Sequence, residues 1–113
     1  MSVRTEKISE LIKKEISIIF LQKINDPALG MLTITDVKVT PDVKIAKIYI
    51  SVFNKEKRAD TLSKIESING YIRSELAHRI KLRFVPELKF FIDETLDYVE
   101  KIESLIKKTH END

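Results

Sequence analysis

The chain has 113 residues, with 20 lysines and arginines, 18 aspartates and glutamates, and no cysteine. This length predicts one domain with a single core, and the absence of cysteine excludes disulfides, thiolate metal sites and cysteine nucleophiles. The sequence has neither an apolar run of the roughly 20 residues that a membrane span needs nor the apolar core of a signal peptide. We therefore expect a cytoplasmic protein that does not bind membranes.

The first predicted element is a helix, because apolar residues recur at spacings of three and four. They are Ile8, Leu11, Ile12, Ile16, Ile19 and Phe20. Ser2 or Thr5 is the candidate N-cap. Asn25-Asp26-Pro27 predicts the end of the helix, since the residue before a proline disfavours helical backbone angles.

Two strands follow, joined by the turn signal Thr40-Pro41-Asp42. The first runs from Leu32 to Val39 and changes phase at Asp36, which predicts a bulge or a bend. The second runs from Lys44 to Phe53 and alternates strictly. One of its faces carries Ala46, Ile48, Ile50 and Val52, and the other carries Lys47, Tyr49 and Ser51.

After a charged loop at residues 54–60, helical periodicity runs from Leu62 to Ile80 and is interrupted at Asn69-Gly70. Glycine inside a helix costs about 1 kcal/mol relative to alanine. This predicts a break between two helices, with Asn69 or Gly70 outside helical dihedral angles. A short strand at residues 88–92, a closing helix at residues 99–106 and a frayed tail at residues 110–113 complete the pattern.

The predicted order is therefore α-β-β-α-kink-α-β with a short C-terminal helix, in one domain spanning residues 1–113. Three strands and several amphipathic helices predict an α+β fold, in which helices cover one face of a three-stranded sheet. This is the type II KH arrangement, which is common among RNA-binding proteins.

Five segments of the chain resemble the ribosome-binding factor A family. They are NDPALG, LTITDVKVTPD, AKIYISVF, GYIRSEL and LRFVPELKFFID, and the resemblance runs from about Val3 to Ile106. It implies a KH-like fold that binds the free small (30S) ribosomal subunit and the 16S rRNA precursor. It also implies a role in late 30S maturation, 16S rRNA processing and growth in the cold. It implies no catalytic activity, no cofactor, no small-molecule substrate and a monomer off the ribosome.

The resemblance also bears on the helix break. A standard KH domain joins its central helices by a GxxG loop that clamps a single-stranded backbone, and this chain has no GxxG. The family carries an Ala-x-Gly kink at that joint, and the matching residues here are Ile68, Asn69 and Gly70. Without a GxxG loop, we expect RNA to be bound by shape and backbone contact more than by threading of a free strand.

Basic residues cluster after the predicted kink, and clustered cations contact phosphates. The candidate RNA-binding residues are Arg73, Arg79, Lys81, Arg83, Lys89, Lys44 and Lys47. From composition alone, a solvated face is the favoured interpretation. The resemblance favours phosphate binding for the cluster as a whole.

Glu15 falls within the apolar stripe of the first helix, where a carboxylate is costly unless it is paired or protonated. We predict a structural ion pair with an arginine such as Arg73 or Arg79. The alternative is a poised general base, but no nucleophile or second acid completes a catalytic set. Tyr49 lies on the polar face of a strand, where aromatic residues can stack bases. The interpretation we favour is that it packs under the closing helix.

Two other classes of function stay open from the residues. One is a KH-like protein–protein interaction module or a dimerising structural protein that does not bind RNA. It would use the exposed sheet face or an edge strand. The other is a small enzyme, which is disfavoured because the chain has no phosphate-binding glycine loop, no HExxH motif and no nucleophile elbow.

Overall fold

The computed structural model describes residues 3–24 and 32–95, together with residues 102, 103, 105 and 106. The elements are α1 (Val3–Gln22), β1 (Leu32–Val39), β2 (Ile45–Val52), a 3-10 turn (Lys55–Lys57), α2 (Arg58–Ser67), α3 (Asn69–Arg79) and β3 (Glu87–Ile92). This is the predicted order, and the α+β fold class is confirmed. The predicted end of the first helix at residues 25–27 and the tail at 110–113 lie outside the described residues. Of the closing helix, residues 102, 103, 105 and 106 are helical.

The three strands form one sheet in the order β1-β2-β3. β1 pairs antiparallel with β2, and β2 pairs parallel with β3. The register of the first pair shifts between Ile34 and Asp36, which confirms the predicted bulge and leaves Thr35 as the extra residue. Thereafter Val37, Ile48 and Phe90 lie side by side across the sheet on the face that the helices cover.

The core lies between this face and the helices, because both contribute residues that are fully shielded from solvent. Ile12, Ile16 and Ile19 of α1 and Ile72 of α3 are completely buried. The predicted alternation of β2 is confirmed, with Ala46, Ile48, Ile50 and Val52 all buried.

Leu11 and Thr5 of α1 do not take the places that the sequence pattern suggested. Leu11 is 38% exposed, because its position on the wheel lies about 100° from Ile12 and beyond the buried stripe. Ser2, one of the two candidate N-caps, lies outside the described residues. The other, Thr5, is not an N-cap, because it lies inside α1. Its carbonyl oxygen instead accepts a hydrogen bond from the hydroxyl of Ser9 at 2.8 Å.

A break separates α2 from α3, and it falls at Ile68, with φ −107° and ψ 15°. The prediction that Asn69 or Gly70 leaves helical dihedral angles is wrong, because both lie within α3. A Cβ built on Gly70 would meet nothing within 4 Å, and Gly70 has no positive φ. The joint is positioned by its neighbours instead. Ile68 packs against the core, and the side-chain amide of Asn69 donates to the carbonyl oxygen of Leu88 in β3 at 3.0 Å.

The hairpin between β1 and β2 fixes the register that positions the outer face of the sheet. The Val43 amide donates to the carbonyl oxygen of Thr40 at 2.8 Å, and Val43 adopts a φ of 58°. A β-branched residue in this left-handed region carries a strain of about 1–2 kcal/mol. The side chain of Val43 packs against the core, and this contact offsets part of the strain.

Candidate nucleic-acid interface

The loop between α3 and β3 presents the first group of cations. We call Arg73, Lys81, Arg83 and Phe84 the loop patch, and all four are exposed. The guanidinium of Arg73 donates through Nη2 to the carbonyl oxygen of Val85 at 2.7 Å, which ties the loop to α3. The guanidinium carbon of Arg83 lies 5.6 Å from the centroid of the Phe84 ring. Lys81 and Arg83 therefore keep their charges available to an anionic partner.

Arg79 does not belong with these available cations. Its Nε donates to Oε2 of Glu15 at 2.7 Å, in an ion pair that joins α3 to α1. The Glu15 side chain is 16% exposed, so this carboxylate is partly buried and is paired with one of the two arginines proposed for it. Within the fold, the guanidinium of Arg79 is therefore paired with a carboxylate.

Lys47 and Lys89 lie on the opposite side of the molecule from the helix layer. Both alternate along their strands with buried residues, so their side chains point to the outer face of the sheet. Lys47 pairs with Lys38 on β1 and with Lys89 on β3. We call these three exposed residues the lysine row. The seven predicted cations therefore do not form one continuous surface.

Lys44, the remaining predicted cation, is exposed where β2 begins. Its amide donates to Oδ1 of Asp42 at 3.1 Å, and its carbonyl oxygen accepts from the amide of Glu87 at 2.8 Å. The hydroxyl of Thr40 and then the amide of Lys44 lower the pKa of the Asp42 carboxyl. Lys44 thus stands beside a fixed carboxylate at the end of the sheet.

An aromatic pair lies next to the lysine row on the outer face. The rings of Tyr49 and Phe91 stack with centroids 5.6 Å apart and planes 28° from parallel. The ammonium of Lys38 lies 5.6 Å from the centroid of the Tyr49 ring. That Tyr49 packs under the closing helix stays a prediction, because part of that helix lies outside the described residues.

The bulge and the end of β3 border the aromatic pair. The hydroxyl of the bulged Thr35 donates to Oδ2 of Asp93 at 2.7 Å. The amide of Thr95 donates to Oδ1 of the same carboxylate at 2.9 Å. Hydrogen bonds from Thr95 and then Thr35 lower the pKa of the Asp93 carboxyl. Asp93 is therefore a carboxylate held by hydrogen bonds at the rim of the outer face.

Sequence reasoning missed two residues of this face, Lys38 and Phe91. The signal for Lys38 was its place between Val37 and Val39 on a strand joined to β2 by a short turn, which puts it opposite Lys47. Phe91 alternates with Phe90, so one of the two had to leave the core.

Other kinds of site receive no support from the described part of the chain. It contains no group of three or more histidine, cysteine, aspartate or glutamate residues that could hold a metal ion. It also contains no helix with the length and apolar character required to cross a membrane.

Comparison with known proteins agrees with this architecture. The family model described as Ribosome-binding factor A matches residues 4–106. Ribosome-binding factor A of Staphylococcus saprophyticus is 46% identical over 114 residues, which cover 100% of each chain. The crystal structure of ribosome-binding factor A from Thermus thermophilus superposes with a TM-score of 0.70 at 22% identity. It covers 78% of this chain and 94% of the other, and shows the shared fold.

A further structural relative is a homology model of the Thermus thermophilus ribosome binding factor A, fitted into a cryo-EM map of its complex with 30S. It has a TM-score of 0.62 at 23% identity, and covers 84% of this chain and 97% of the other. The family model and the full-length relative together fix the assignment, and the chain belongs to the ribosome-binding factor A family.

Proposed function

We propose that the protein binds the free 30S ribosomal subunit and its 16S rRNA precursor. In this proposal it acts in late 30S maturation and 16S rRNA processing, and is needed for growth in the cold. The observation that carries the proposal is the family match over residues 4–106. It is supported by the Thermus thermophilus relative, whose 30S complex has been described by cryo-EM. The family consists of ribosome-binding factors and not of enzymes.

The loop patch is the surface we assign to the subunit. Folded rRNA presents a dense phosphate surface, and clustered cations release its counterions on binding. Arg83 supplies a planar guanidinium, which binds phosphate oxygens in pairs, and Lys81 supplies a second exposed charge nearby in sequence. Arg79 is left out of this assignment because its guanidinium is held by Glu15.

The test is co-sedimentation of the purified protein with 30S subunits over a range of salt concentrations. The variant Lys81→Glu/Arg83→Glu should bind about tenfold or more weakly at near-physiological salt, and the slope of log K against log salt should fall by about 2. Its thermal midpoint should equal that of the parent, since both side chains are exposed.

The matched control is Lys7→Glu/Lys14→Glu, the same change of charge on the exposed side of α1. It should retain more binding than the loop-patch variant. Equal binding by the parent and the loop-patch variant would show that the surface assignment is wrong. A parent protein that does not sediment with 30S subunits at any salt concentration would overturn the proposed function itself.

The cellular part of the proposal has its own test. Cells that lack the protein should accumulate 16S rRNA with unprocessed ends and free 30S subunits, with a larger effect in the cold. The protein should also run as a monomer in sedimentation equilibrium when no subunits are present. A stable dimer would favour the alternative of a dimerising structural protein.

A further inference from the structure

We propose that the outer face of the sheet binds a single-stranded segment of RNA. The lysine row (Lys38, Lys47 and Lys89) contacts its phosphates, and an unpaired base stacks on the aromatic pair (Tyr49 and Phe91). The inference rests on the proposed function for the choice of RNA as the partner. It adds a second contact surface, on the side of the sheet away from the loop patch, and it names the form of RNA bound there.

The lysine row is the first support. Adjacent strands lie about 4.8 Å apart, and the register places three ammonium-bearing side chains directly beside one another. Like charges directly opposite across strands destabilise a sheet. Within the described residues, no carboxylate forms an ion pair with any of the three. A polyanion lying along the row would relieve this repulsion. The arrangement therefore lowers the stability of the free protein and favours the binding of a polyanion.

Carboxylates on this face flank the lysine row and are not part of it, and Asp36 lies opposite Tyr49 in the neighbouring row of residues. Asp36 accepts a hydrogen bond from the amide of Val37 at 2.9 Å, and Asp93 is held by Thr35 and Thr95. Glu87 is exposed at the start of β3. Each carboxylate repels phosphate, so the acceptable path for an RNA backbone is along the lysine row between them.

The aromatic pair is the second and independent support. Phe91 is 40% exposed on the outer face, whereas its neighbour Phe90 fills the core at 5% exposure. An exposed ring on a sheet offers a π-face to any base. Bases in a duplex are already stacked on one another, so only an unpaired base can use this ring. The aromatic pair therefore selects single-stranded RNA.

A protein partner fits this face less well. Protein–protein interfaces are depleted of lysine, and here a lysine row crosses all three strands of the sheet. Like-charged rows would also face each other in a symmetric dimer built on this surface. The charge and the exposed ring together match the chemistry of an RNA strand.

The experiment measures binding of a fluorescein-labelled, unstructured RNA of about 12 nucleotides, a length within the range that small single-strand-binding folds cover. Fluorescence anisotropy is compared with that of a duplex of the same length. The parent should bind the single strand more tightly than the duplex. Phe91→Leu should weaken single-strand binding about tenfold, and Tyr71→Leu, the loss of an exposed ring on α3 outside both surfaces, should leave it unchanged.

Charge and stacking are separated by two further measurements. Lys47→Glu should weaken binding and lower its salt slope by about 0.7 or more, whereas Lys7→Glu should not. Ring protons of Tyr49 and Phe91 should shift in NMR spectra when RNA is added and stay in place when inorganic polyphosphate is added.

Several results would overturn the inference. Equal affinity for duplex and single strand would show that the aromatic pair does not select an unpaired base. Loss of binding in Phe84→Leu but not in Phe91→Leu moves the site to the loop patch. A dimer that Phe91→Leu dissociates identifies the occupant as a second copy. If the parent sediments with 30S subunits but ignores the oligonucleotide, this inference fails while the proposed function stands. If the oligonucleotide binds at the aromatic pair but subunits do not bind, the proposed function fails alone.

Discussion

The two faces of the sheet are built from the same strands and have opposite chemistry. On the inner face, Ala46, Ile48 and Ile50 are completely shielded by the helices. On the outer face, Lys47 is exposed and Tyr49 stacks on Phe91, although both come from the same stretch of β2. Residues that are adjacent in sequence therefore contribute to different properties of the protein. The inner face contributes to stability, and the side chains of the outer face are available for binding.

The sharpest test of this division compares two residues that are adjacent in sequence. Ile48→Ala should lower the free energy of unfolding by about 2–5 kcal/mol, because it opens a cavity at a fully buried site. Lys47→Ala should change it by less than about 0.5 kcal/mol. Urea denaturation followed by circular dichroism measures both, and comparable losses for the two variants would refute the division of roles.

The second test asks whether apolar packing alone holds α1 against α3. Glu15→Gln should lower the free energy of unfolding by about 1 kcal/mol, because the Arg79 pair is only partly buried. The loss should shrink at high salt, since ions screen the pair. A double-mutant cycle with Arg79→Gln isolates the coupling energy. A coupling energy of zero would mean that packing alone joins α1 to α3.

A substitution in the helix layer should have a smaller effect on the free energy of unfolding, and in the opposite direction. Gly70 lies in the first turn of α3, needs no positive φ and has open space where a Cβ would stand. Gly70→Ala should therefore raise the free energy of unfolding by about 0.5 kcal/mol, chiefly by restricting the unfolded chain. Thermal denaturation measures this gain. A loss of stability would show that the break at Ile68 requires the flexibility of glycine after all.

The smallest expected effect concerns pH at the rim of the outer face. The lowered pKa of Asp93 contributes stability that is present above its unfolded pKa and is lost as pH falls through its folded pKa. Thr35→Val removes one of the hydrogen-bond donors to the Asp93 carboxylate, so its pKa should rise toward the ordinary value. An NMR titration of the Asp93 carboxyl carbon detects the change. Thr33→Val, an exposed threonine on the same strand, should leave the pKa where it is.

Much of the fold follows from local patterns in the sequence. The alternation of β2 and the change of phase at Asp36 identified a strand and a bulge, because side-chain direction reverses at every residue. The break at Ile68 was harder to predict. The low helix propensity of glycine predicted the break at Gly70. The packing of Ile68 and the contact from Asn69 to β3 instead decide where α2 ends. Such tertiary contacts override local preference and leave no periodic signal.

The candidate surfaces were less predictable than the fold. Clustering along the chain grouped Lys89 with Arg83, although a strand's alternation directs Lys89 to the opposite side of the sheet. The lysine row is a property of register, and register depends on the hairpin turn and on the parallel pairing of β3. Glu15 was identifiable from its place in the apolar stripe. The choice of Arg79 over Arg73 required the relative placement of α1 and α3.

The hydrogen bonds along β1 also affect how the protein behaves in a crowded solution. β1 is an edge strand of the described sheet, and free edges recruit strands from other molecules into aggregates. Here the outward amides of Val37 and Val39 are already bonded by the carboxylate of Asp36 and the hydroxyl of Ser9. The side chain of Asn69 occupies a carbonyl oxygen on the opposite edge in the same way. Growth of the sheet by a foreign strand would first have to break these bonds, so the fold resists fibre-like association without any covering subunit.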